Sequence, residues 1–198
     1  MKIFKIAVVL FIGGIVSAQT SDIRMSSKGS FDKKELRDLM YFQNLDYYKI
    51  AITGTELKGK NYHIIAKEIW NGKIKKIDTI FNSRQLDIFR IAGDTLSFSV
   101  TSGKTTDKNL RVRFDFGRFA LTENYKSTKS SDYSLRDSGS NMKIEIGKPF
   151  YAFAYILPAE HEDGSKSWCE VEADGNDIEN WGRKFGIKHY LLFEMKFE

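Results

Sequence analysis

Residues 61 to 82, NYHIIAKEIWNGKIKKIDTIFN, constrain the fold more than any other stretch, because they read as two strands joined by the turn Asn71-Gly72. A two-residue type I′ turn needs positive φ at both central positions, which Gly adopts freely and Asn tolerates better than most residues. Ile64, Ile65, Ile69 and Trp70 precede the turn, and Ile74, Ile77, Ile80 and Phe81 follow it. These are the β-branched and aromatic types that pack on a pleated surface. A lone hairpin is marginally stable in water, so this one has to recruit further strands from the rest of the chain.

Period-two alternation marks where those strands lie. Residues 46 to 53 put Tyr48, Ile50 and Ile52 on one face, and 94 to 101 do the same with Leu96, Phe98 and Val100. Residues 109 to 116 align Leu110, Val112, Phe114 and Phe116, and 189 to 197 align Leu191, Phe193, Met195 and Phe197. Each pattern is that of an antiparallel strand with one buried face. Shorter strands are expected at 86 to 91, 119 to 122 and 142 to 146, while 150 to 157 is apolar almost throughout and belongs at the centre of the core. A second hairpin turns near Asp163-Gly164 and returns over 167 to 173. Residues 123 to 141, rich in Ser, Lys and Asp, read as a long exposed loop.

Two short helices accompany the strands. One spans residues 32 to 40, with Asp32 and Glu35 at capping-box spacing and Leu36, Leu39 and Met40 on one stripe. The other follows Asp177, carries Ile178, Trp181 and Phe185 along one side, and stops at Gly186. Roughly eight to ten strands at this spacing predict an all-β antiparallel sandwich, immunoglobulin-like or jelly-roll, with an up-and-down barrel as the alternative.

At the N-terminus, Lys2 and Lys5 precede the apolar residues 6 to 15 and then Val16-Ser17-Ala18, the pattern of a cleaved export signal. The apolar run falls short of the roughly 20 residues a spanning helix needs. Residues 1 to 18 are therefore expected as signal peptide, 19 to 30 as a flexible polar leader, and 31 to 198 as one β-rich domain. The expected location is periplasmic or extracellular, with no membrane span after cleavage. A single cysteine, Cys169, excludes an intramolecular disulfide, so the fold must rest on its core. The net charge is +5, but only nine of the 31 basic residues are Arg. Flexible lysine point charges outnumber guanidinium forks shaped for phosphates, and nucleic acid is not the expected partner.

No G-x-S-x-G elbow, P-loop or dinucleotide fingerprint is present. His63, His161 and His189 are far apart in the chain, and Cys169 has no adjacent base. These features favour a non-catalytic protein. The acidic residues Glu160, Glu162, Asp163, Glu170, Glu172, Asp174, Asp177 and Glu179 face a single base, Lys166, in one stretch. Within it, Asp174, Asn176 and Asp177 around Gly175 can supply part of a calcium site, although their order does not match an EF-hand loop. The plainer reading is a solvated loop with a helix cap at Asp177.

Exposed rings stack on sugar faces or anchor a protein partner. Trp168, whose strand face otherwise carries Glu170 and Glu172, leads the candidates, followed by Trp70 at the hairpin rim and Tyr47. Trp168, Trp70, Tyr47 and Glu170 are the expected ligand-binding set, with Tyr41 and Tyr133 among further rings to consider. Basic strand faces formed by Lys73, Lys75 and Lys76 with Arg111 and Arg113 either attract acidic polymers or guard sheet edges.

Leu39-Met40-Tyr41-Phe42-Gln43-Asn44 and Lys67-Glu68-Ile69-Trp70-Asn71-Gly72-Lys73, together with the export signal, resemble small exported proteins of Bacteroidota-type bacteria. The resemblance implies an envelope or secreted location and carries no catalytic motif. The functional expectation is an exported, non-catalytic module that binds a glycan or an envelope protein. A β-barrel carrier of an apolar small molecule and a hydrolase are the alternatives.

Overall fold

The computed structural model describes residues 22–29, 33–168 and 177–198. The export signal, Cys169, Glu170, Asp174 and Asn176 lie outside the described residues.

Two antiparallel five-stranded sheets pack face to face. The first runs, edge to edge, β1 (Arg24–Gly29), β2 (Leu45–Thr53), β5 (Thr95–Thr106), β6 (Asn109–Asp115) and β7 (Ala120–Lys126). The second runs β4 (Lys73–Asn82), β3 (Tyr62–Trp70), β12 (His189–Phe197), β9 (Phe150–Ile156) and β8 (Ser134–Asp137). A small pair, β10 (Ala159–Glu160) with β11 (Lys166–Ser167), completes the hairpin around Gly164. Among the described residues no pairing joins the two large sheets, so the architecture is the expected sandwich and not the closed barrel.

The Asn71-Gly72 turn forms as its sequence requires, with φ of 49° and 68°. From it, β3 enters the sheet between β4 and β12. The inward residues of both sheets meet in one buried cluster. Phe114 of the first sheet reaches Phe193 at 5.5 Å and Phe153 at 6.0 Å between ring centroids. Each such ring contributes roughly 2–3 kcal/mol by leaving water. Rings also fill the far end, where Phe116 stacks on Phe119 at 4.7 Å.

Several elements differ from the sequence expectation, each for a local reason. Arg24–Gly29, read as part of a flexible leader, is an edge strand whose full length pairs with β2, with Met25 turned into the core. Its polar composition hid it because an edge strand needs only one apolar contact per few residues. Residues 86 to 91 form a 3₁₀ turn, Asp87–Phe89, with Leu86 and Ile88 exposed. Residues 142 to 146 keep only one bridge, Ile144 with Ile23. The stretch read as a long loop contributes the rest of β7 and all of β8.

Helix α1 (Lys34–Phe42) appears close to the expected place but buries none of its residues. Its Leu36, Leu39 and Phe42 face solvent. The second helix is a 3₁₀ turn, Ile178–Asn180, leading into α2 (Trp181–Lys184), with Gly186 at φ 67° ending it as expected. Among the described residues no helix is long and apolar enough to cross a membrane.

Candidate functional site

The C-terminal end of α1 shapes a groove at one end of the sandwich. The helix stops where Asn44 takes φ 51°, a left-handed conformation open to Asn at modest cost. The chain then enters β2 through Leu45 and Asp46, leaving Tyr41 74 % exposed. Opposite lie Asp132 and Tyr133, Pro158, Lys166 and Trp168, and together these residues enclose about 350 Å³. A second cleft of about 310 Å³ adjoins it, sharing Tyr41, Leu45 and Asp46 and adding Arg37, Tyr47 and Tyr48.

The groove walls are tied down from outside. Lys104 donates to the carbonyls of Thr128, Lys129 and Ser130 at 3.0, 2.7 and 3.0 Å, clamping the loop before Tyr133 onto β5. Trp168 has the Arg136 guanidinium 4.4 Å from its ring centroid and donates to the Ile156 carbonyl at 3.4 Å. A cation on an aromatic face fixes the ring and leaves its remaining surface for a ligand.

The two groove carboxyls are tuned in opposite directions. Burial raises the Asp46 pKa, although the Leu135 N–H donates to its Oδ2 at 2.8 Å and Arg136 lies nearby. The ammonium of Lys166, 2.7 Å away, holds Asp132 below the usual carboxylate range. Burial thus favours the neutral form of Asp46, and the Lys166 ammonium the charged form of Asp132.

Beneath the groove, Tyr133 connects to a buried polar group. Its hydroxyl accepts the Thr128 N–H at 3.1 Å and lies 2.7 Å from Nδ1 of His189, which is fully buried. Burial pushes the His189 pKa down to about 3, so the imidazole is neutral. With the tyrosine donating to Nδ1, the ring proton sits on Nε2, which lies 3.5 Å from Glu68 Oε1 without a hydrogen bond to it. Glu68 Oε1 also accepts the Trp70 Nε1–H at 2.7 Å, and Trp70 packs on the imidazole with 4.0 Å between centroids. This Tyr–His–Glu–Trp group holds the groove wall to β3 and β12.

The structure thus distributes the predicted residues. Trp168 lies on the groove, Tyr47 on the adjoining cleft, and Trp70 beneath the wall, two contacts removed from the groove surface. Glu170 lies outside the described residues, as do Asp174 and Asn176 of the calcium set. Asp177 accepts from Asn180 Nδ2 at 2.7 Å. His161 is exposed, with Nε2 3.1 Å from Ser167 Oγ on its own hairpin. Among the described residues no three His, Cys, Asp or Glu side chains cluster as a metal site.

Sequence reasoning missed Asp46 and Glu68. Both carried a legible signal: each shares strand parity with inward apolar residues, Ile50 and Ile52 for Asp46, Ile64 and Ala66 for Glu68. A carboxyl at an inward position needs partners, and such partners gather where a site is built. Comparison with family models, curated proteins and solved structures finds no match for this chain.

Proposed function

We propose that this protein is an exported, non-catalytic binding module that takes a glycan into the groove between Tyr41 and Trp168. The observation that carries the reading is the pairing of these two rings across a polar floor of Asn44, Asp46, Asp132 and Lys166. Aromatic faces contact the apolar faces of sugar rings, and amide, carboxyl and ammonium groups read the hydroxyls around their rims. The export pattern at residues 1 to 18 supports encounter with envelope or extracellular polysaccharides. The filled interior, with Phe114, Phe153 and Phe193 in mutual contact, speaks against a carrier of apolar molecules.

A hydrolase is the second reading, favoured by the opposed tuning of Asp46 and Asp132. Screening the purified protein against a panel of neutral and charged oligosaccharides tests both. Binding that weakens at least about tenfold in Tyr41→Ala and Trp168→Ala, with the bound glycan recovered intact, supports the module. Recovery of shortened glycan, lost in Asp46→Asn, supports the hydrolase. Unaltered binding in both aromatic variants contradicts a groove site.

A further inference from the structure

The outer face of the first sheet is a separate feature from the groove. Register and burial fix which side chains stand on it: Met25, Ile50, Phe98 and Val112 turn inward, so their neighbours turn out. The outward set includes Arg24 and Lys28 on β1, Lys49 on β2, Arg111 and Arg113 on β6, and Lys126 on β7. All six are exposed. Among the described residues of these five strands, Asp115 is the one acidic side chain on that face; it pairs with Arg113 at 3.2 Å, and Asp22 just before β1 lies 3.4 Å from Arg24.

Between the cations stand hydroxyl and amide groups, among them Ser97, Ser99, Thr101, Thr122 and Asn124. Across Ser99 of β5, Lys49 stands level with Asp115, and Arg113 lies two residues further along β6; with strands about 4.8 Å apart and a rise of about 3.4 Å per residue, Lys49 and Arg113 are roughly 12 Å apart. One pairing runs against sheet stability: Lys28 stands directly opposite Lys49. Like charges in that position are destabilising.

We infer that this open face docks an acidic polysaccharide, with carboxylate or sulfate groups on the cations and sugar hydroxyls on the Ser, Thr and Asn rows. Charge complementarity selects a polyanion. The choice among polyanions follows from what the face lacks. Single-stranded nucleic acid uses stacking rings, and the face carries one, the half-buried Tyr47. Insertion into a lipid surface uses large apolar side chains, and the face carries one, the half-buried Leu45 at the start of β2, lying over Gly103. Hydroxyl-rich relief matches a hydroxyl-rich polymer. This surface is distinct from the Tyr41–Trp168 groove and does not depend on it.

The test uses fluorescently labelled polygalacturonate with the purified protein, beside neutral dextran, poly-dT and phosphatidylglycerol vesicles. Polygalacturonate binds at low salt and weakens steeply between about 50 and 200 mM. The triple variant Lys49→Glu, Arg111→Glu, Arg113→Glu loses at least about tenfold in affinity, and the glutamine version of the same variant loses less. Lys73→Glu, Lys75→Glu, Lys76→Glu on β4 changes the net charge equally and retains binding, as does Tyr41→Ala, which separates this face from the groove. Equal loss in the β4 variant, unchanged affinity in both face variants, stronger binding to poly-dT or vesicles, or no polygalacturonate binding at low salt each overturns the inference.

Discussion

The two outer faces of the sandwich treat positive charge in opposite ways. On the second sheet, Lys67 of β3 is covered and fully engaged, donating to Glu179 at 2.6 Å, Glu194 at 2.8 Å and the Tyr151 hydroxyl at 2.7 Å. Tyr151 also donates to Glu179. Burial works against the charge on Lys67, but these three partners together hold its pKa above the ordinary lysine value. Glu179 arrives on the segment that ends in α2, so the lysine fastens that segment to the sheet. On the first sheet, the cations are exposed, Arg24 and Arg113 each beside a surface carboxylate, and two lysines oppose each other. Charge that organises structure is desolvated and matched in space, whereas charge available to a partner is left exposed at some cost to the fold.

Lys67→Ala is expected to have the largest effect. It leaves Glu194, with its side chain 14 % exposed, and the more open Glu179 without their cation. The expected loss is about 2–3 kcal/mol, below the fully buried case because Glu179 keeps contact with water. Urea denaturation measures it. A loss under about 0.5 kcal/mol would place Lys67 with the surface lysines.

The cover can also be loosened without touching charge. Gly182 of α2 lies against Gly72, and a Cβ at position 182 would meet the Gly72 N at 2.7 Å and its Cα at 2.8 Å. Both are backbone atoms of the Asn71-Gly72 turn, so α2 has to shift. Gly182→Ala is expected to cost about 1–3 kcal/mol and to raise amide exchange around Lys184 before the rest of the second sheet. Exchange that rises evenly over both sheets would show that the cover and the sheet are one cooperative unit.

His189 is a third solution, a buried base kept neutral. In the unfolded chain it gains a proton as pH falls below about 6.5, whereas in the fold it stays neutral until about 3. Its contribution is therefore complete above the unfolded pKa and declines as pH drops through that window, by up to about 1.4 kcal/mol per pH unit. His189→Gln, which cannot titrate, is expected to flatten the acid side of the stability curve between pH 6.5 and 3 while lowering its neutral plateau. Parallel curves for the two proteins would mean the Glu68 carboxylate compensates the proton.

The smallest effect carries the opposite sign. Lys49→Ser removes half of the Lys28 and Lys49 opposition and is expected to stabilise by a few tenths of a kcal/mol, about 0.2–0.5 at low salt. Thermal melts at low and high salt measure it, and the gain should vanish as salt rises. Destabilisation would mean that Lys49 supports the sheet.

The large features of this fold were legible because they follow from local rules. Asn71-Gly72 demanded a tight turn, and the alternation in β2, β5, β6 and β12 named the inward rings of the core. What escaped were elements defined by partners distant in sequence. β1 is polar because it lies at an edge, and its strand character exists through β2. β8 has four residues and exists through β9. The groove was half legible. Trp168 and Tyr47 stood out as rings on polar strand faces, yet nothing local places Trp168 near Tyr41 or aims Tyr133 at His189, since those contacts depend on how the ends of six elements converge. The cationic face was visible only in part: Arg111 and Arg113 could be grouped by alternation, whereas Lys28 and Lys49 join them only through the register of β1, β2 and β5.

Chemical-shift mapping tests the binding account most directly. ¹⁵N-labelled protein is titrated separately with the tightest neutral oligosaccharide from the screen and with an oligogalacturonate. The account predicts that the neutral sugar moves amides around Tyr41, Asp46 and Trp168, that the acidic one moves those around Lys49, Arg111 and Arg113, and that the amides around Lys67 and Glu194 stay still. Absence of shifts with both ligands, or shifts centred on the covered face of the second sheet, would contradict it.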